Sequence, residues 1–212
     1  MQQLLDTCRL GIMGGTFDPI HLGHLVAAEA AREQFDLEQV LFVPARLPPH
    51  KQDREITPAE HRYAMVLLAT ANHPRFVASR VELDRPGPSY TVDTLRLLRA
   101  EHPRAGLCFI TGADALMELD TWKDPEELLR LCRMIVVSRP GCDRERLREK
   151  AADLQRRMPC HIEELAAPAL AISSRDLRQR VAEGKSLRYL VPREVRDYIL
   201  KHHLYRRGAA TP

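Results

Sequence analysis

The sequence lacks the features that mark several large classes of protein. Its apolar runs fall well short of the roughly 18 residues that a membrane-spanning helix needs, so we expect no membrane segment. No basic stretch followed by an apolar core stands near the N-terminus, which predicts no secretory signal peptide. Repeats and low-complexity tracts are absent as well. The composition, 44% hydrophobic and 29% charged residues, is typical of an ordinary soluble globular protein.

Paired cysteines and a strong charge of one sign are also missing. The five cysteines contain no C-x-x-C pair, which argues against a structural zinc site, and their scattered, odd count suits the reducing cytoplasm. Cys8, Cys108 and Cys132 lie in apolar runs, where we expect buried thiols. The net charge of +3 is too balanced to predict binding to nucleic acid. Residues 139–212 carry 17 basic and 10 acidic side chains, which either steer an anionic ligand or form a solvated helical surface.

Short β-rich apolar runs alternate with segments of helical period. The predicted strands are Cys8–Met13, Val40–Val43, Phe76–Val81, Leu107–Thr111 and Met134–Ser138. The predicted helices are His21–Phe35, Pro58–Ala71, Thr91–Glu101, Ala113–Leu119, Pro125–Leu131, Arg144–Arg157, Ser174–Glu183 and Pro192–His202. This alternation predicts a Rossmann-like α/β fold, with a doubly wound parallel sheet in one domain of residues 1–212. Residues 172–204 would form a small helical C-terminal part. Two proline-containing loops, Pro44–Thr57 and Leu83–Tyr90, follow predicted strands, at the edge where ligands bind in such sheets.

A glycine pair followed by two histidines stands after the first predicted strand. The run is Gly14-Gly15-Thr16-Phe17-Asp18-Pro19-Ile20-His21-Leu22-Gly23-His24. Glycines let the backbone approach a ligand closely, and the start of the following helix attracts anions. His21 and His24 are three residues apart, share a helix face and should point toward the loop and its ligand. A core pair of histidines or a metal pair would have the same spacing, although a catalytic zinc usually needs a third ligand.

A second candidate phosphate site begins the helix at residue 174. Ser173 or Ser174 is a good N-cap, and Arg178 lies one turn beyond Ser174 on the same face. Hydroxyls and a guanidinium at a helix start suit a β- or γ-phosphate. By itself, the pattern is more typical of a plain capped basic helix.

The middle of the chain offers further polar candidates. Asp114 follows Gly112 at a predicted helix start and is placed either to accept from ribose hydroxyls or to act as a plain N-terminal acid. Trp122 either stacks on a ligand ring or fills the core. Arg139, at a strand end, either holds a carboxylate or phosphate or is an exposed arginine. The basic pair of the first proline-containing loop, at residues 50 and 51, either contacts phosphate or is solvated.

The two motifs resemble those of the nucleotidyltransferase superfamily that carries the H-x-G-H signature. The second motif resembles the element I-S-S-T-x-I-R, except that Arg175 and Leu177 stand where Thr and Ile are usual. Four further stretches resemble bacterial nicotinate-nucleotide adenylyltransferases: residues 44–51, Ser89-Tyr90-Thr91, residues 112–122 and residues 138–141. With the two motifs, the resemblance runs from about Leu10 to Leu204.

The resemblance implies an enzyme that binds ATP, with Mg²⁺, and nicotinic acid mononucleotide in the cytoplasm, as a monomer or small homo-oligomer without nucleic acid or membrane. The implied ATP-binding residues are Gly14, Gly15, Thr16, Phe17, His21, His24, Gly112, Asp114, Ser173, Ser174 and Arg178. Of these, His21, His24 and Arg178 are the implied catalytic residues. The implied residues of the acceptor pocket are His50, Lys51, Tyr90, Thr91, Trp122 and Arg139. Few or no protein ligands to the metal are expected.

Three other functions are compatible with one or both motifs. A sister transferase would accept nicotinamide mononucleotide or phosphopantetheine. A fragment of an aminoacyl-tRNA synthetase would carry a lysine-rich second motif, which this chain lacks, and tRNA-binding domains for which 212 residues leave no room. A nucleotide-binding regulator would keep the fold without the reaction.

Overall fold

The computed structural model describes residues 8–49, 56–138, 142–168 and 170–206. Strands in these ranges form one six-stranded sheet in the order β3-β2-β1-β4-β5-β6, and each neighbouring pair is parallel. The strands are β1 (Cys8–Gly15), β2 (Gln39–Pro44), β3 (Phe76–Ala78), β4 (Ala105–Gly112), β5 (Arg133–Val137) and β6 (Ile162–Leu165).

Helices cover both faces of this sheet. They are α1 (Leu22–Gln34), α2 (Ala59–Thr70), α3 (Thr91–Glu101), α4 (Ala113–Met117), α5 (Pro125–Leu131), α6 (Arg144–Arg157), α7 (Ser174–Ala182) and α8 (Arg193–Lys201), with a 3₁₀ turn at Leu119–Thr121. Met13 and Ile110 belong to a core under α1, α2, α7 and α8, whereas Ile12 and Phe109 belong to a core under α3 to α6. Alternate residues of a strand face opposite sides, so the doubly wound α/β fold is confirmed.

The order of the strands reverses between β1 and β4. From β1 the chain proceeds to β2 and β3 on one side, and from β4 it proceeds to β5 and β6 on the other. In open parallel sheets, the crevice beyond the carboxyl ends of two such strands is the usual ligand site. Here Gly15 ends β1 and Gly112 ends β4.

The helical C-terminal part lies against the first half of the chain. Val195 and Ile199 of α8 are fully buried in the core that also holds Met65 and Val66 of α2. The backbone N–H of Leu22, at the start of α1, donates to the carbonyl of Leu190 (3.0 Å). The C-terminal part therefore supports the helix that follows the first motif.

Three sequence predictions of local structure are wrong, and one strand was missed. The third strand ends at Ala78, not Val81, which lies in a turn. Helix α4 ends at Met117 and a 3₁₀ turn follows. Strand β6 was not predicted, because its two central residues are glutamates; they form ion pairs with arginines, while Leu165 is buried. Cys8 is only half-buried.

Two other sequence predictions concern the burial of cysteines and the presence of membrane-spanning helices. The thiols of Cys108 and Cys132 are buried, as predicted. No helix in the described part of the chain is long and apolar enough to cross a membrane.

Candidate active site

The loop between β1 and α1 turns tightly at the point where the strand order reverses. Phe17 adopts a left-handed backbone conformation (φ 50°), and its ring is buried with 3% exposure. A Cβ atom on Gly15 would lie 3.1 Å from that ring, closer than ordinary van der Waals contact, so a larger residue would require the ring to shift by a few tenths of an ångström. Because the ring of Phe17 is part of the core, this residue can offer a ligand mainly its backbone.

The two histidines of the first motif stack on each other at the start of α1. Their ring centroids are 3.7 Å apart, with an interplanar angle of 30°. The backbone N–H of His21 donates to Nδ1 of His24 (3.2 Å), and the Phe17 ring meets His24 edge-on at 5.1 Å. His21 is 2% exposed, whereas His24 is half-buried. The predicted shared face is confirmed, and His24 is the more accessible imidazole.

Helix α7 begins directly against the first loop. Ser173 caps the helix, since its Oγ accepts the N–H of Asp176 (3.1 Å). Ser174 Oγ donates to the carbonyl of Pro19 (2.9 Å), and Arg178 Nη1 donates to the carbonyl of Asp18 (2.6 Å). The structure thus brings together two motifs that lie more than 150 residues apart in sequence.

Asp18 also joins the first loop to the helical C-terminal part of the protein. Its carboxylate is 5% exposed, and Oδ1 accepts the hydroxyl of Tyr205 (2.7 Å). Burial and the nearby charge of Asp18 raise the pKa of Tyr205 well above its usual range, so this phenol remains a donor at neutral pH. Sequence reasoning missed Tyr205, because no local motif marks it.

Arg62 is a buried arginine behind the loop, and sequence reasoning missed it as well. It is 1% exposed, and burial lowers the pKa of its guanidinium. Its donors reach three backbone carbonyls, those of Thr57 (2.7 Å), Thr16 (2.8 Å) and Arg46 (3.2 Å). The available signal was its helical position: Arg62 precedes Met65 and Val66 by three and four residues, so it shares their apolar face.

An aromatic cavity of about 460 Å³ lies on the other side of the first loop. Tyr90, Thr91 and Trp122 line it, as do Gly14 and Gly15. The indole of Trp122 meets the Phe109 ring edge-on at 6.2 Å, and Nζ of Lys123 lies 5.0 Å from the centroid of Tyr90. Trp122 is half-buried, so it both packs on the core and borders the cavity.

A buried carboxylate stands at the edge of this aromatic cavity. Glu82 is 7% exposed, and its Oε1 accepts the hydroxyl of Thr94 (2.6 Å). Burial raises the pKa of Glu82, although hydrogen bonds from Thr94 and Ser89 oppose the shift. Ser89 Oγ in turn accepts the N–H groups of Arg46 (2.9 Å) and Leu47 (3.4 Å). The Glu82–Ser89 pair therefore anchors the start of the loop after β2.

Two further cavities meet the aromatic one at the first motif. One, of about 550 Å³, contains the phosphate-site candidates Thr16, His24, Ser173, Ser174 and Arg178, together with Arg175. The other, of about 170 Å³, lies between the histidines, Gly112 and Ile172. Asp114 borders both the aromatic cavity and the cavity of about 550 Å³. His24 borders both the cavity of about 550 Å³ and the small cavity of about 170 Å³. Because each pair of cavities shares lining residues, the three lie side by side at the carboxyl ends of β1 and β4, and we refer to them together as the crevice.

The remaining predicted residues divide into two groups. A Cβ atom on Gly112 would meet nothing within 4 Å, so the space next to this residue is open to a ligand. His50, Lys51 and Arg139 lie outside the described residues. A larger cavity, of about 680 Å³, opens at the opposite edge of the sheet and contains none of the predicted site residues.

Known proteins of the same family have similar sequences and folds. A model of the cytidylyltransferase-like family matches residues 12–180. A probable nicotinate-nucleotide adenylyltransferase of Moorella thermoacetica is 54% identical over 93% of this chain and 92% of its own length. A probable nicotinate-nucleotide adenylyltransferase of Thermus thermophilus is 51% identical over 93% of this chain and 100% of its own length.

A solved structure supports the fold independently. The nicotinic acid mononucleotide adenylyltransferase of Plasmodium falciparum, complexed with NaAD, superposes with a TM-score of 0.76 at 22% identity, covering 93% of this chain and 97% of its own. At that identity the likeness shows the fold. The sequence relatives, near 50% identity over nearly the full length, show the family: the chain belongs to the nicotinate-nucleotide adenylyltransferases, nucleotidyltransferases of NAD biosynthesis.

Proposed function

We propose that the crevice binds ATP and nicotinic acid mononucleotide side by side and joins them into nicotinic acid adenine dinucleotide, with release of pyrophosphate. The observation that carries this proposal is the meeting of three cavities at Gly14, Thr16 and His24. A reaction between two nucleotides needs one compartment for each nucleoside and a charged compartment between them for phosphates. The crevice offers that division.

The cavity beside α7 suits the phosphates of ATP. It combines the half-buried imidazole of His24 with the guanidinium groups of Arg175 and Arg178 and the start of a helix capped by Ser173. Helix starts and guanidinium groups are common partners of phosphate oxygens. The small cavity next to His21 and Gly112 then receives the adenosine, since it opens directly onto His24.

The aromatic cavity suits the acceptor nucleotide. Tyr90 and Trp122 offer faces for a pyridine ring, and the ammonium of Lys123, which forms an ion pair with Asp93, lies close to Tyr90. The proposal also assigns His50, Lys51 and Arg139 to acceptor binding, on the resemblance given above. A ribose fits beside Asp114, which borders both the phosphate and the aromatic cavity.

The chemistry requires alignment and charge neutralisation more than proton transfer. The acceptor phosphate attacks the α-phosphorus of ATP, and pyrophosphate leaves. A phosphate monoester has a second pKa of about 6 and is already mostly a dianion at neutral pH, so no general base is needed. His21, His24 and Arg178 would orient the phosphates and stabilise the charge that develops on them.

Magnesium enters the proposal as part of the ATP substrate. Among the described residues, no three His, Cys, Asp or Glu side chains are grouped as a metal site. Mg²⁺ keeps several of its waters and commonly binds through substrate phosphates and one or two carboxylates, and Asp114 at the phosphate cavity fits that pattern. Bound there, the ion neutralises phosphate charge.

The setting of the enzyme stays a prediction. We propose a cytoplasmic protein of one domain, a monomer or small homo-oligomer, with small-molecule substrates and no nucleic-acid partner. Gel filtration with light scattering would measure the oligomeric state directly.

Pyrophosphate release tests the reaction. The purified protein is mixed with MgATP and either nicotinic acid mononucleotide or nicotinamide mononucleotide, and folding is checked by circular dichroism. Strong preference for the acid supports the proposal. Preference for the amide, or for phosphopantetheine, keeps the transfer chemistry but overturns the acceptor. A folded protein that binds ATP and is inactive with every acceptor would be a nucleotide-binding regulator.

A further inference from the structure

Arg62 connects segments that belong to different parts of the proposed site. It lies on α2, behind the crevice, and has almost no exposed surface. Two of its three hydrogen-bond acceptors are carbonyls that lie just beyond a strand: Thr16 follows β1 directly, and Arg46 follows β2 after Ala45. The third, Thr57, belongs to the segment that leads into α2.

Among the described residues, the pairing of β1 with β2 joins the first loop, which follows β1, to the second loop, which follows β2, at their first residues. The N–H of Ala45 donates to the carbonyl of Gly15 (2.9 Å), and this bond continues the pairing of β1 with β2. Arg62 extends the connection by one residue on each side, to Thr16 and Arg46. Thr16 borders both the phosphate and the aromatic cavity, and Pro48 and Pro49 of the second loop border the aromatic cavity.

Each loop has its own attachment that does not involve Arg62. The first loop is held by Ser174 and Arg178, which donate to the carbonyls of Pro19 and Asp18. The second loop is held by Ser89, which accepts the N–H of Arg46 and donates its own N–H to the carbonyl of Leu47 (2.9 Å). Loss of Arg62 would therefore leave both loops attached while removing a connection between them.

The chemistry of arginine suits this connection. Its planar guanidinium carries five N–H donors in a fixed arrangement, whereas a lysine ammonium is a compact point charge on a flexible stem. The carboxylates of Asp18 and Glu82 favour the buried positive charge. Lysine could keep the charge but could not bond three separate carbonyls in the same plane.

We propose that Arg62 is a positioning residue for adenylyl transfer. It fixes the first loop, which borders the phosphate cavity, relative to the second loop, so that the acceptor phosphate and the α-phosphorus of ATP are aligned. The inference rests on the proposed function. Misplacement of reacting groups by about 1 Å can cost roughly 10²-fold in rate. Arg62→Lys should therefore lower kcat by about that factor, while ATP and nicotinic acid mononucleotide, each measured alone, bind with Kd values within about threefold of the unaltered enzyme.

Arg99→Lys is the matched control. Arg99 also donates to two backbone carbonyls, those of Ala105 (2.6 Å) and Leu131 (3.1 Å), but at the opposite edge of the sheet. Because Arg99 is only half-buried and bonds two carbonyls rather than three, Arg99→Lys should lower the melting temperature by less than Arg62→Lys does. It should leave kcat and both KM values unchanged. The measurements are pyrophosphate release for kcat and KM, calorimetry for binding of MgATP or acceptor alone, and thermal unfolding.

Each outcome decides the inference. Arg62→Lys with the kcat of the unaltered enzyme would overturn it, and so would losses of kcat, substrate binding and stability in parallel, which indicate a purely structural role. If the lysine variant does not fold, Arg62→Gln takes its place; failure of both to fold, while Arg99→Lys folds, would also overturn it. An unaltered enzyme that is inactive with both mononucleotides would instead overturn the proposed function.

Discussion

Removal of the hydroxyl of Tyr205 tests whether the helical C-terminal part stabilises the first motif through Asp18. Tyr205→Phe deletes the donor to Oδ1 of Asp18 (2.7 Å) and leaves a carboxylate that is only 5% exposed without that partner. A hydrogen bond to a charged group contributes about 1.5–3 kcal/mol. For a protein of this size, 1 kcal/mol corresponds to roughly 2–4 °C in melting temperature. The variant should therefore melt about 3–12 °C lower.

Tyr198→Phe is the matched control, because Tyr198 lies in the same C-terminal part and bonds Nδ1 of His61 (2.9 Å). That contact joins groups that are only partly buried, so its loss should cost about 0.5–1.5 kcal/mol. Both variants are compared at pH 7.5, where the raised pKa of Tyr205 keeps its hydroxyl protonated. If Tyr205→Phe lowered the melting temperature no more than Tyr198→Phe, the argument that Tyr205 secures Asp18 would be wrong.

Four other predictions concern the site itself. His24→Ala should lower kcat by roughly 10²–10³-fold, as loss of one oriented donor does; full turnover by the folded variant would contradict its role. Gly23→Ala places a Cβ atom 3.0 Å from Nδ1 of His21, so the buried ring must shift, and kcat should fall about tenfold; unchanged kinetics would show that the ring adjusts freely. Arg175→Thr, which restores the family's usual residue at this position, should raise KM for ATP about fivefold if the guanidinium contacts phosphate, and an unchanged KM would assign Arg175 to the surface. Burial raises the pKa of Glu82, so the folded protein retains that proton to higher pH than the unfolded chain does. The free energy of unfolding should therefore fall as pH rises from about 4.5 through the raised pKa. In urea unfolding measured across this pH range, the midpoint of Glu82→Gln should lack the decrease with pH that Glu82 causes.

The fold was predictable because its signals are local and repeated. Five of the six strands are apolar runs rich in β-forming residues, and the helices between them show helical periodicity. Strand β6 escaped prediction because it is short and carries Glu163 and Glu164 at its centre. Its place in the sheet depends on pairing with β5 and on arginines from other elements, such as Arg133 and Arg144.

The motifs of the site were also legible in the sequence, since each is a contiguous run with its own chemistry. Glycines before a helix with two histidines, and serines with an arginine at a later helix, indicated phosphate binding at each place separately. Their assembly into one site depended on the sheet, which brings α7 against the loop after β1, so that Ser174 and Arg178 bond the carbonyls of Pro19 and Asp18.

The sequence by itself therefore determined the fold class and the family, and it marked the two motifs that we propose bind phosphate, because these depend on residue type and spacing along the chain. Tertiary structure alone decided which residues support them. Arg62, Glu82 and Tyr205 lie outside both motifs, and each acts on a partner 12 to 187 residues away in sequence. A buried charge or hydroxyl has its role set by the carbonyls and carboxylates that folding places within about 3 Å of it, and no local pattern records those neighbours.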